Sequence, residues 1–223
     1  MNRRERKAPV VVVLCLLLLL SFFVGAGFAE GDVYNRNLRE DPVEAQKEPD
    51  PAKTRDGKMV VIMNRFMEAN PELEEYAAGK FAGYVLEASD QFGVHPFLIA
   101  AIIIKESTVR YRARSRYAYG LMQINWSAHK RALRSAFSEI ETLEDLIQPR
   151  NNILAGTYIF SCYLNSSDGN ISEALAMYLG KNGTRYIKNV MENFELMLAQ
   201  YEKKQEQRIT SLPCLSLVAQ TEA

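Results

Sequence analysis

A chain of 223 residues, 48% of them hydrophobic, has room for one domain with a buried core and some appendages. Its 27 Lys and Arg balance 27 Asp and Glu, so the formal net charge is zero. That excludes the basic excess of a dedicated nucleic-acid binder, and no nucleic-acid partner is expected.

The N-terminus opens with a basic lead, Asn2 to Lys7, followed by an uncharged run, APVVVVLCLLLLLSFFVGAGFA, over residues 8–29. A basic segment, an apolar segment and small residues near Ala26 to Ala29 read as an export signal. The run is also long enough to span a bilayer as a retained anchor, so residues 1–29 are expected to be a signal peptide or a membrane anchor. Either outcome takes the chain to the periplasm or cell envelope. Cys15 lies mid-run, not after a small residue at its end, which argues against a lipoprotein.

Residues 30–57 are polar, charged and dotted with proline, and read as a disordered linker. The texture changes at Lys58. MVVIMNRFM, residues 59–67, is an apolar-rich helix candidate. Asn70-Pro71-Glu72 supplies a cap, a first-turn proline and an early acid for a second helix. Its apolar face, Leu73, Tyr76, Ala77, Phe81, Tyr84, Val85 and Ala88, runs to about Gln91. Val94-His95-Pro96 starts a third helix, and the run FLIAAIII is apolar on every side, as in a helix enclosed by the core. Residues 108–120 read as loop or short turns. Thr142 to Asp145 resembles a cap with acids in the first turn. Further helices are expected near 151–165, near 172–179, and from Thr184 onward with Tyr186, Ile187, Val190, Phe194, Met197 and Leu198 on one face. No long stretch alternates with period two. The fold class is therefore mostly α, one helical domain over 58–205 with a flexible tail over 206–223.

Cysteines and histidines add little. Cys162 is expected in the core, unpaired or bridged to Cys214, which lies in the tail. His95 and His129 have no ligand-like partners nearby, so neither a metal site nor a cofactor is expected.

The residues that could carry chemistry follow the third helix. Lys105 and Glu106 are the first charges after Pro96. An acid at a helix C-terminus opposes the macrodipole, and one beside an apolar wall is poorly solvated. Both effects raise a carboxyl pKa, as a general acid needs. Taken alone, such an acid more often turns to solvent. Its flanks change that reading: Glu106-Ser107, Ala113, Ser115 nine residues after the Glu, and Gly120-Leu121-Met122-Gln123. Downstream come Asn152-Ile153 with Gly156-Thr157-Tyr158, then Ala174 to Gly180 followed by Tyr186.

In order and spacing, from His95 to Val190, this resembles the lytic transglycosylase family, the soluble-lytic-transglycosylase-like members of the lysozyme-like superfamily. The gap from Ser115 to Gly120 is one residue shorter than usual. Thr108 and Val109 stand where Gly and Phe are common, and Leu179 replaces an Asn. The resemblance implies a lysozyme-like helical domain that cleaves the β-1,4 bond between N-acetylmuramic acid and N-acetylglucosamine. Glu106 would protonate the glycosidic oxygen, then act as base on the muramoyl C6 hydroxyl to leave a 1,6-anhydro end. That chemistry needs one enzymic carboxylate, whereas hydrolysis normally uses two. None of Glu139, Glu141, Glu144 or Asp145 stands in a recognisable motif. A lysozyme-type hydrolase and a silent peptidoglycan-binding scaffold are the alternatives.

By the same resemblance, Ser115 and Tyr178 would hold Glu106 or the sugar. Gln123 and the Met122 backbone would line sugar subsites, with Asn152 nearby. Tyr186 would serve the site or simply pack in the core. Gly120 is expected to relieve backbone crowding. The implied partners are peptidoglycan glycan strands, and the membrane if residues 8–29 are retained, for a protein acting as a monomer. Arg110, Arg112, Arg114 and Arg116 alternate beside the motif, as a solvated loop or a surface for an acidic partner such as the stem-peptide carboxylates.

Overall fold

The structure, a computed structural model, describes residues 51–181 and 183–210. The expected signal or anchor, most of the expected linker and the residues after Thr210, Cys214 included, lie outside the described residues. Among those described there are eight helices, and none is long and apolar enough to cross a membrane.

Helix α1 spans Pro51–Ala69. It begins inside the stretch that composition assigned to linker, because Val61, Ile62 and Phe66 on one face anchor it in the core and carry the polar turns before them. Helix α2 spans Glu75–Phe92, starting later than expected. Asn70 closes a turn instead of capping the helix: its side-chain oxygen accepts from the Glu72 N–H at 3.2 Å. Gly93, at φ 68°, ends α2.

Helix α3, Pro96–Ser107, starts as expected, with the His95 ring nitrogen accepting from the Phe97 N–H. Every residue from Phe97 to Ile103 is buried. Helices α1 and α2 pack against it, as does α8, Thr184–Thr210. Phe194 of α8 meets the His95 ring edge-on at 5.2 Å, and Tyr201 meets Phe97 at 5.8 Å, which fixes the two helices at one end.

After α3 the chain makes a tight loop with two isolated antiparallel bridges, Arg114 with Tyr119 and Tyr119 with Ile124. Helix α4, Trp126–Ala136, was not expected. It is a largely polar surface helix that buries one residue of its own, Leu133. The legible signal was Asn125, whose side chain caps the Ala128 N–H at 3.2 Å. Helix α5, Leu143–Leu146, carries the capping box expected at Thr142, completed by Asp145. Helix α6, Pro149–Ser166, packs against α2, α5 and α7, the last spanning Ile171–Leu179. Cys162 is exposed rather than in the core. It sits on the outer face of α6, while the following Tyr163 and Leu164 pack against the core. The expected lysozyme-like, mostly helical domain is the fold found, with the buried α3 at its centre.

Candidate active site

Glu106 lies in the last turn of α3, just past the buried run. The helix stops there because Thr108 takes the left-handed conformation, φ 52°, and its N–H returns to the Ile104 carbonyl at 3.0 Å. Thr108 thus takes a conformation that glycine adopts without strain, and bears the strain that glycine avoids. Val109 is also left-handed at φ 56°, and it is fully buried.

The Glu106 carboxylate is half-buried and accepts a hydrogen bond from the Tyr186 hydroxyl at 2.7 Å. Burial pushes its pKa above the ordinary 4.5. The Tyr186 bond and the nearby Lys105 ammonium pull the other way without cancelling that effect. Tyr186, in the first turn of α8, is only 7% exposed. Burial, the Glu106 charge and the bond to Glu106 all push its phenol well above the usual range, so the hydroxyl stays a donor. Tyr186 thus packs in the core and also donates to Glu106.

The Gly120 to Gln123 turn forms the neighbouring wall, and the side chains of Asn152 and Tyr178 lock it. Met122 N–H donates to the Asn152 side-chain oxygen at 2.8 Å. The Asn152 amide nitrogen donates to the carbonyls of Tyr119 at 3.0 Å and Leu146 at 3.2 Å. Tyr178 donates its hydroxyl to the Met122 carbonyl at 2.8 Å. Glycine is needed at two points. Gly120 has φ 81°, and a Cβ there would collide with the Asn152 amide. A Cβ on Gly156 would come within 2.7 Å of the Met122 Cβ, so α6 approaches this turn only because that side chain is absent.

Glu106, Tyr186, Tyr178 and the Met122 backbone are therefore brought together; burial of its hydroxyl first, and then the Glu106 charge, push the phenol of the half-buried Tyr178 well above its usual range. Other expected residues take different positions. Ser115 is exposed and closes its own turn, its Oγ accepting from the Ala118 N–H at 3.1 Å. It makes no bond to Glu106, because the tight 115–118 turn keeps the hydroxyl for itself. Tyr178 likewise spends its hydroxyl on Met122 and not on Glu106. Asn152 is completely buried, and its amide is taken up by the three backbone groups. Gln123, at φ 46°, donates its amide to the carbonyls of Ala113 at 3.1 Å and Gly120 at 3.0 Å, bracing the loop it belongs to. Lys105, the charge that bears on Glu106, was legible only as its chain neighbour.

Comparison with known proteins bears on the family of the chain. The family model described as Transglycosylase SLT domain matches residues 83–195. The chain is 33% identical over 138 residues to the membrane-bound lytic murein transglycosylase C of Klebsiella pneumoniae (strain 342). That match covers 59% of this chain and 38% of the relative's length, so the chain spans well under half of that protein.

Proposed function

The chain belongs to the transglycosylase SLT domain family, and from that premise we propose that it is a peptidoglycan lytic transglycosylase with Glu106 as its acid and base. The relative's printed name, a lytic murein transglycosylase, supports murein strands as substrate. The observation that carries the reading is the state of Glu106. One carboxyl group at the end of a buried helix has its pKa raised by burial and is held in place by a tyrosine hydroxyl.

A carboxyl raised in this way stays protonated into the range where it can donate to the bridging oxygen of a β-1,4 glycosidic bond. As that bond breaks, the proton moves from Glu106 to the departing oxygen and the group becomes a carboxylate. It then takes the proton of the muramoyl C6 hydroxyl, whose oxygen closes on C1 to give the 1,6-anhydro end. The Tyr186 bond and Lys105 favour the carboxylate, so they support the second half of this cycle. No second carboxylate bears on Glu106 among the described residues, whereas a hydrolase normally positions two. That favours the lyase over the lysozyme-type hydrolase, and it disfavours a silent scaffold, which has no use for a buried acid. Tyr178, Asn152 and Gln123 serve by holding the Met122 turn beside Glu106.

Digestion of purified sacculi, followed by mass spectrometry of the released muropeptides, tests the assignment. Muropeptides with 1,6-anhydromuramic ends are expected from the wild type and not from Glu106→Gln. Reducing ends would assign a hydrolase, and equal release by both proteins would remove Glu106 from the mechanism.

A further inference from the structure

A groove of about 480 Å³ opens beside the loop that follows α3, and neither Glu106, Gln123, Tyr178 nor Tyr186 lines it. Tyr111, Arg112, Arg114 and Tyr119 line it from the loop; Leu143, Glu144 and Ile147 line it from the region of α5. Arg112 lies over the Tyr111 ring and Arg114 over the Tyr119 ring, each 5.2 Å from the ring centre. A guanidinium stacked on a ring is held in place while its N–H edge stays free to bind a carboxylate in two-pronged fashion.

Both edges are free. Neither Arg112 nor Arg114 forms an ion pair or hydrogen bond among the described residues, whereas Arg150, next to the groove's Pro149, is occupied by Glu87. The sequence offers no local counter-charge either, since no Asp or Glu occurs from Ser107 to Ser138. The acid on the groove is Glu144, on the opposite wall, with Ile147 38% exposed beside it.

We propose that this groove binds the peptide stem of the peptidoglycan strand, an inference that rests on the substrate reading above. Carboxylates of the stem pair with Arg112 and Arg114, the amino group of its diamino acid pairs with Glu144, and alanine methyls meet Ile147 and the tyrosine faces. A recess with two cations on one wall and an anion on the other suits a short peptide bearing both charges. Glu144 would repel a uniformly anionic lipid surface, and the recess is a poor match for a flat one.

Titration calorimetry of the full-length chain with a soluble stem peptide, alanyl-γ-glutamyl-lysyl-D-alanine, tests this. Saturable binding is expected. The double variant Arg112→Gln/Arg114→Gln should bind roughly tenfold more weakly, the sum of two surface ion pairs near the top of their usual range. Amidating the peptide's carboxylates should weaken binding to the wild type in the same way, which tests the pairing without any mutation. The Arg112→Lys/Arg114→Lys variant keeps the charges but loses the fork, and its affinity should fall in between. Absence of saturable binding, or equal binding of peptide and amidated peptide, overturns the proposal. Wild-type binding to phosphatidylglycerol vesicles that exceeds peptide binding and vanishes in the Gln double variant also overturns it, in favour of a membrane surface. The peptide has no glycosidic bond, so this result stands apart from the sacculus digestion that tests Glu106.

Discussion

A carboxyl group that must give a proton and then take one needs opposing influences on its pKa, and Glu106 has them. Burial favours the acid form, while the Tyr186 hydroxyl and Lys105 favour the carboxylate. Replacing Glu106 by Gln removes the proton that is transferred, so cleavage of sacculi should fall by about 10²–10⁴-fold, the usual worth of a general acid. Stability should move the other way. Because the folded pKa lies above the unfolded one, this group's contribution is full below the unfolded value and is lost as pH rises through the folded one. Thermal melts followed by circular dichroism should show Glu106→Gln more stable than the wild type at neutral pH, with the gain gone below about pH 4. A variant less stable at neutral pH would contradict the buried-acid account.

Tyr186 gives a second, finer test. Its bond lowers the Glu106 pKa, so Tyr186→Phe should raise it and carry the alkaline limb of the kcat/KM profile to higher pH. The rate at the optimum should drop by about 10- to 150-fold, since loss of a hydrogen bond to a charged group costs about 1.5–3 kcal/mol. A lower rate with an unmoved limb would reduce Tyr186 to a packing residue.

Among the elements, the turn from Gly120 to Gln123 depends on a side chain from α6. Asn152→Ala would strand the Met122 N–H and the carbonyls of Tyr119 and Leu146, at a cost of about 3 kcal/mol. Urea unfolding measures this, and a loss below about 1 kcal/mol would show that the turn is held by other contacts. The end of α3 offers the opposite change. Thr108→Gly relieves a left-handed backbone and should stabilise the domain by about 0.5–1 kcal/mol in the same assay, with destabilisation as the refuting result.

These elements also show what the sequence made legible. The enclosed α3 could be read from its unbroken apolar run, and Glu106 from its place after that run with the motifs in register. The hydroxyl and amide partners could not. Ser115, Gln123 and Asn152 have the right chemistry for sugar contacts, but a sequence does not say which backbone groups compete for them. Here nearby backbone carbonyls and N–H groups hold the Asn152, Gln123 and Ser115 side chains, the first in a fully buried place and the last at the surface. Helix α4, Trp126–Ala136, is a polar surface helix with one buried residue, and the sequence reading passed over both its Asn125 cap and its one-sided apolar pattern.

The family match stops at residues 83–195, yet the packing does not. Val61, Ile62 and Phe66 of α1 are fully buried, and α1 packs on α2, α3 and α8, the last two carrying Glu106 and Tyr186. At the far end, Met197 is buried and Tyr201 meets Phe97. The residues that flank the matched segment therefore complete the core around α3, which carries Glu106. Phe66→Ala should cost about 3–5 kcal/mol, the usual penalty for truncating a buried Phe. Because α1 shares one core with α3, the domain should still unfold in one step, with Trp126 fluorescence and far-ultraviolet circular dichroism giving coincident transitions in urea. Below that transition Phe66→Ala should keep the wild-type kcat, since Phe66 is on a different helix from Glu106 and Tyr186. Two separated transitions, or a cost under about 1 kcal/mol, would make α1 an appendage to the matched segment and not part of its core.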